Sequence, residues 1–302
     1  MVEPATRSSR STSRRLLRQR PALVGAAILA ALGLAAVAAP LVEARLGVDA
    51  EAVYLLARLA PPSVEHPLGT DELGRDLLLR LLHGGRISLL IGLGGALLAA
   101  SIGVVVGAVA GFAGGRTDAF LMRLTDAVMA LPLLPVLIVL AAVDLGKLGV
   151  PADLAAGPAA GIARITAIVA LFGWTTVARL TRASVLGLKR RDFVRAAEAL
   201  GAGRARIVLV HVLPNALVPI IVATTLSVGG IVLTESVLSF LGLGVQPPLP
   251  SWGNMLTNAQ ELVWEAPRLA LWPGLCIFLV VLGFNLLGDG LQEALEPRSP
   301  ER

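Results

Sequence analysis

Six long apolar runs constrain this 302-residue chain more than any other feature, because each needs a lipid solvent. Crossing a hydrocarbon core takes roughly 20 residues at ~1.5 Å apiece. Residues 21–42 and 87–115 contain no charge, and 120–143 carries only Arg123 and Asp126, near its start. A fourth run lies within 154–178 and is read as starting near Arg164. The fifth, 212–241, holds one charge, Glu235, and the last is 269–288. Charged residues make up 16% of the chain, against about 25% in a soluble domain. With a mean hydropathy of +0.77, the chain cannot cover itself with polar groups. The fold class expected is an all-α membrane protein of six transmembrane helices.

The same composition excludes disorder, a coiled coil and a disulfide scaffold. Cys276, the only cysteine, sits in an apolar run and reads as a small packing side chain. A net charge of +5 could suggest nucleic acid, but a single tyrosine and a lipid-like middle argue against it.

Basic residues in the flanks set direction. With the first end in the cytoplasm, Arg7, Arg10, Arg14, Arg15, Arg18 and Arg20 lie inside. Arg116 and Arg123, the eight basic residues from Arg179 to Arg206, and Arg298 and Arg302 join them, making 18 of 26 lysines and arginines. The segments are therefore a cytoplasmic tail (1–20), a first helix (21–42), a segment on the outer side (43–86), a five-helix core (87–290) and a cytoplasmic tail (291–302). Ala36-Val37-Ala38 resembles a cleavage site, but the apolar run before it exceeds the ~7–15 residues of a signal peptide, so the first span is read as retained.

Gly95, Ala99, Gly103, Gly107, Gly111 and Gly115 recur every four residues, a stripe that lets another helix approach closely. Residues 71–86 read as an amphipathic helix along the outer interface, with Leu73, Leu77, Leu78, Leu81 and Leu82 on one face.

The most informative segment is 190–214. Phe193, Ala196, Ala197 and Leu200 recur at helical spacing, Asp192 suits a helix start, and Gly201 suits a left-handed cap. This predicts a short helix below the membrane with a small docking face. The competing reading is a loop resting on anionic head groups.

Here the chain resembles the permease subunits of bacterial ABC importers, whose cytoplasmic loop carries a Glu-Ala-Ala motif, a glycine, nine residues, then a hydrophobic residue and Leu-Pro. Ala196-Ala197, Gly201 and Leu213-Pro214 match; Arg195 replaces the glutamate and His211 the hydrophobic residue, with Glu198 leaving a carboxylate nearby. Residues 66–71 (HPLGTD), 74–76 (GRD), 235–244 (ESVLSFLGLG), 246–248 (QPP), 251–253 (SWG), 285–291 (NLLGDGL) and Pro297-Arg298 are similar to the C-type permeases of dipeptide and oligopeptide importers. The resemblance implies a type I importer permease in the bacterial inner membrane with both termini cytoplasmic. It also implies a heterodimer with a sister permease, two ATPase subunits and a substrate-binding protein. Phe193, Arg195, Ala196, Ala197, Glu198, Leu200, Gly201, Leu213 and Pro214 would form the coupling helix and its flank. The expected substrate is a di- or oligopeptide, with glutathione or nickel complexes as alternatives.

No phosphate-binding G-x-x-x-x-G-K-[ST] is present, since Leu148 follows Gly146-Lys147. ATP and Mg are therefore assigned to partner subunits, with no cofactor and no catalytic residue in this chain. His66, His83 and His211 fall on different segments, which argues against a shared metal site. Glu235 is a carboxylate inside a span, a position that costs about 2.5–3.5 kcal/mol on insertion scales. With Ser236 and Ser239 it is a candidate for the translocation path, or else a structural partner of another helix. A secondary transporter driven by ions would carry more such residues in two repeated halves. An intramembrane hydrolase would carry paired aspartates or H-E-x-x-H.

Overall fold

The computed structural model describes residues 19–143 and 157–295. The basic tail before residue 19, Lys147, residues 154–156 and the end from residue 296 lie outside the described residues.

Apolar sequence becomes helix almost throughout: α1 (Arg20–Leu46), α2 (Leu77–Ala113), α3 (Gly115–Ala130), α4 (Leu133–Ala142), α5 (Pro158–Leu188), α6 (Asp192–Ala199), α7 (Arg204–Phe240) and α8 (Arg268–Leu295). Five of these are single helices long and apolar enough to cross a membrane, while α3 and α4 form a pair bent by 86°. The break falls at Leu131-Pro132, where proline lacks an N–H and forces its predecessor into an extended conformation. The expected third span is therefore broken.

Packing fixes the direction of each helix. Along α2, a β-carbon on Gly103 would stand 2.6 Å from the Trp174 carbonyl of α5, and one on Gly111 2.9 Å from Val185, so α2 and α5 run parallel. Gly92 lies against Val232 and Gly95 against Ile231, while Ala100 clusters with Ala216 and Ile220, so α7 runs antiparallel to α2. Gly229 meets Val281 while Gly288 meets Leu226, and Gly25 meets Gly283 while Gly290 meets Ala22, so α8 is antiparallel to both α7 and α1. Since α2 and α5 are parallel and joined in sequence, the segment between them must recross the bundle. The bent pair is thus the sixth crossing, and Arg20, α6 and Leu295 share one end.

The glycine stripe finds its partners within the chain: α5 for Gly103, Gly107 and Gly111, and α7 for Gly95, with Gly92, outside the stripe, also against α7. Gly115 drops out, because α2 stops at Ala113 and Gly114-Gly115 turns with positive φ. Outward-facing Leu34, Val37 and Leu41 on α1, and Leu90, Leu93 and Leu97 on α2, leave apolar stripes that suit lipid.

The separate interfacial helix over 71–86 is not found. Asp76 caps α2, accepting from the Leu79 N–H at 2.8 Å, and residues 77–86 are the first turns of that 37-residue helix. Asp71 to Arg75 instead forms a buried turn. The Asp71 carboxylate accepts from the Leu73 and Arg75 amides at 2.9 Å each and from Arg75 Nε at 2.7 Å. Leucine spacing alone could not reveal that these polar residues close on one another. Together with 241–267, this segment builds a cap at the end opposite α6: Arg268 donates to the carbonyls of Leu59 and Ala60, and Asn258 to Glu72.

Two further boundaries differ from expectation. Arg179 and Arg182 belong to the last turns of α5, not to a loop, because each pairs with an aspartate of α3 (Asp126 and Asp118). α7 begins at Arg204 rather than near residue 212, so Leu213-Pro214 lies inside it just past a π-helical turn at residues 207–212. Pro214 cannot supply an N–H to the preceding turn, and the wider winding accommodates it.

Candidate functional site

At the shared end of the bundle, α6 stands between α5 and α7. At about 100° per residue, Val194 and Ala197 fall on one side of it, and Phe193, Ala196 and Leu200 about a quarter-turn away. Val194 is fully buried and Ala197 9% exposed, clustered with Ala108, Val185, Ile207 and Val212 from three long helices. Phe193 is 42% and Leu200 88% exposed, with Ala196, Arg195 and Glu198 also open to solvent. The expected docking face therefore divides: Ala197 anchors α6 to its own chain, and Phe193, Ala196 and Leu200 form the free apolar stripe. Val194 was not legible as an anchor, because the motif draws attention to the alanines.

Gly201 closes α6 as expected, at φ +81°. Its N–H donates to the Glu198 carbonyl at 2.9 Å, and that of Ala202 to Ala197 at 3.0 Å, satisfying carbonyls the helix end would otherwise orphan. Leu213 is half-buried beside this cluster and Pro214 is exposed, so they set the winding of α7 rather than extend the stripe.

A cavity of about 790 Å³ lies between α4, α5, α7 and α8. Its lining begins at the α6 end, with Val218, Gln292 and Leu295, and extends along α7 to Thr234, about 24 Å at helical rise. No charged residue is among its described lining; Thr176, Ser227, Thr234 and Gln292 are its polar members. The Ser227 and Thr234 hydroxyls donate to carbonyls of their own helix at 2.8 Å, so the oxygens they offer a solute are acceptors. Ser227, Gly230 and Thr234 share one face of α7 at intervals of three and four, a pattern in the sequence that could have pointed here.

Glu235, Ser236 and Ser239, the sequence candidates for the path, line no part of this cavity. All three are buried, on the side of α7 that meets α2. Glu235 takes hydrogen bonds from Ser239 Oγ at 2.7 Å and, on α2, from Ser88 Oγ at 3.1 Å, and the Ser236 and Ser251 hydroxyls complete its surroundings. The structural alternative for Glu235 is the one this geometry supports. The histidines are equally local: His66 pairs with Asp76 at 2.9 Å and His83 with Glu43 at 2.8 Å, within the cap and the first turns beneath it.

Residues 103–299 match the family described as binding-protein-dependent transport system inner membrane component. A di/tripeptide transport system permease protein DppC from Pseudomonas aeruginosa is 42% identical over 227 residues, 75% of this chain and 70% of that one. The oligopeptide transport system permease protein OppC from Bacillus subtilis is 38% identical over 92% of this chain and 85% of its own. The glutathione transport system permease protein GsiD from Pectobacterium atrosepticum is 39% identical over 75% and 71%.

Proposed function

The chain belongs to the family of binding-protein-dependent transport system inner membrane components, and on that premise we propose that α6 is the coupling helix through which separate ATPase subunits drive it. The protein is a multi-pass permease subunit of an ABC transporter for peptides, and relatives named for dipeptides, tripeptides and oligopeptides support that substrate class. The stripe of Phe193, Ala196 and Leu200 carries the coupling assignment, because α6 is anchored by Val194 and Ala197 yet leaves this stripe uncovered at the end of the bundle. A nucleotide-driven partner that grips the stripe and binds one conformation more tightly shifts the bundle toward it. ATP and Mg bind that partner, not this chain.

The uncharged cavity forms this subunit's half of the path. Its oxygen acceptors suit peptide N–H groups, and its apolar wall suits a solute whose charges are not read here. A sister permease supplies the other half, a substrate-binding protein delivers to the cap, and the α6 end, with both termini, faces the cytoplasm of a bacterial inner membrane. Glutathione, itself a tripeptide, is a second substrate reading favoured by the GsiD relative.

Purified with its partners in proteoliposomes, the chain will take up peptide only with ATP and the ATPases, and Leu200→Glu will lose the ATPases while remaining in the membrane. Uptake driven by an ion gradient without any ATPase, or normal ATPase retention by Leu200→Glu, would overturn the reading.

A further inference from the structure

The last cavity-lining residue of α7 is Thr234, and the next residue, Glu235, is buried on the side of that helix where the cap folds back onto it. Its carboxylate has no basic partner in the hydrogen bonds that surround it, only serine hydroxyls. Each of two serines joins it to the cap. Ser239 Oγ donates to Glu235 Oε1 at 2.7 Å and accepts from the Val245 N–H at 3.1 Å. Ser88 Oγ donates to Oε2 at 3.1 Å and accepts from the Trp252 N–H at 3.2 Å. A hydroxyl has one proton and two lone pairs. Spending the proton on the carboxylate leaves the oxygen oriented to receive a backbone amide, so one side chain fixes two points of the cap, seven residues apart.

The surrounding contacts are shaped to the same end. A β-carbon on Gly244 would collide with Ser239 Oγ, and one on Gly253 would stand 2.5 Å from Ser236 Cα, so both glycines let the segment lie directly on α7. The Trp252 indole donates to the Leu81 carbonyl of α2 at 2.9 Å. Asn254 spans the segment, its side chain donating to the Val245 and Leu249 carbonyls and accepting from the Ser251 amide. Val245 and Trp252 are buried in one apolar cluster with Leu137, Val169 and Ile231, which line the cavity.

We propose that Glu235 is the positioning residue of the barrier opposite α6: acting through Ser88 and Ser239, it holds residues 241–256 across that end of the path. This rests on the transport reading above, so ATP-driven uptake by the unaltered complex is measured alongside. In the full complex in lipid, Glu235→Ala will speed hydrogen exchange at the Val245 and Trp252 amides by about tenfold or more, with α8 amides unchanged, and will lower peptide uptake per ATP hydrolysed. Glu235→Gln keeps an acceptor oxygen for one of the two serines and turns an N–H toward the other, so it will keep one of the two amides protected and lose less uptake than Glu235→Ala. If Glu235→Ala does not reach the membrane, Ser239→Ala decides the matter by removing one relay with Glu235 intact: the Val245 amide will exchange faster, the Trp252 amide held through Ser88 will not, and uptake per ATP hydrolysed will fall. Unchanged protection in the variant that is read, or loss of uptake in Glu235→Gln equal to that in Glu235→Ala, overturns the proposal; the latter result assigns the role to charge. If uptake by the unaltered complex requires no ATP, the transport reading fails instead.

Discussion

At the scale of single residues, glycine separates packing from convenience. A side chain on Gly107 would run into the Ala178 carbonyl, Thr181 Cβ and the Arg182 amide of α5, backbone that cannot swing aside. Gly161 has open space where a β-carbon would go. Gly107→Val should therefore part α2 from α5 and cost about 3 kcal/mol or more, as overpacking against backbone does. Gly161→Ala should be neutral or stabilising by up to about 1 kcal/mol, since it removes helix-opposing freedom at no steric cost. Thermal unfolding of the two variants in detergent checks the contrast, and equal midpoints would mean that the α2–α5 contact is not what holds the bundle. The four-residue spacing announced that some helix would come close. It could not say which, because a small-residue face fits any partner, and only the opposing carbonyls of α5 identify it.

At the scale of elements, α6 shows what a short segment can and cannot disclose. Asp192, Gly201 and the apolar spacing gave its start, its stop and its helical character, all local properties of the chain. How its apolar residues divide was hidden, because that depends on Val185, Ile207 and Val212 arriving from elsewhere. The division makes two substitutions separable. Val194→Ala leaves a hole in the anchoring cluster and should cost about 2 kcal/mol of stability, with ATPase binding weakened only as far as α6 loosens. Leu200→Ala removes a side chain that touches solvent, so the midpoint should stay within about 0.5 kcal/mol of the unaltered chain while ATPase affinity falls at least tenfold. Parallel melting and binding titrations test this, and a shared loss of both properties in Leu200→Ala would place that residue in the fold rather than the interface. The bent pair α3 and α4 is the opposite case. Apolar content on both sides of Pro132 reads as one span, and an 86° bend leaves no trace in hydropathy.

At the scale of the molecule, topology follows from packing alone. α2 and α5 run parallel, as their matched contacts require, so an uninterrupted chain must recross between them; α8 opposes both α1 and α7. These relations put the ends of the described chain and α6 on one side, and the cap on the other, without reference to any membrane. Charge then chooses which side is which. Of the 26 lysines and arginines, 18 belong to the α6 side when residues outside the described segments are counted by their place in the sequence, and basic residues are retained in the cytoplasm. A reporter active only in the cytoplasm should work when fused after Arg302 and fail when inserted after Val64, in the exposed part of the cap. An export-dependent reporter should give the reverse. Activity of one reporter at both positions would require an even number of crossings between them. That would break the parallel relation of α2 and α5, and the placement of α6 beside the ATPases would fail with it.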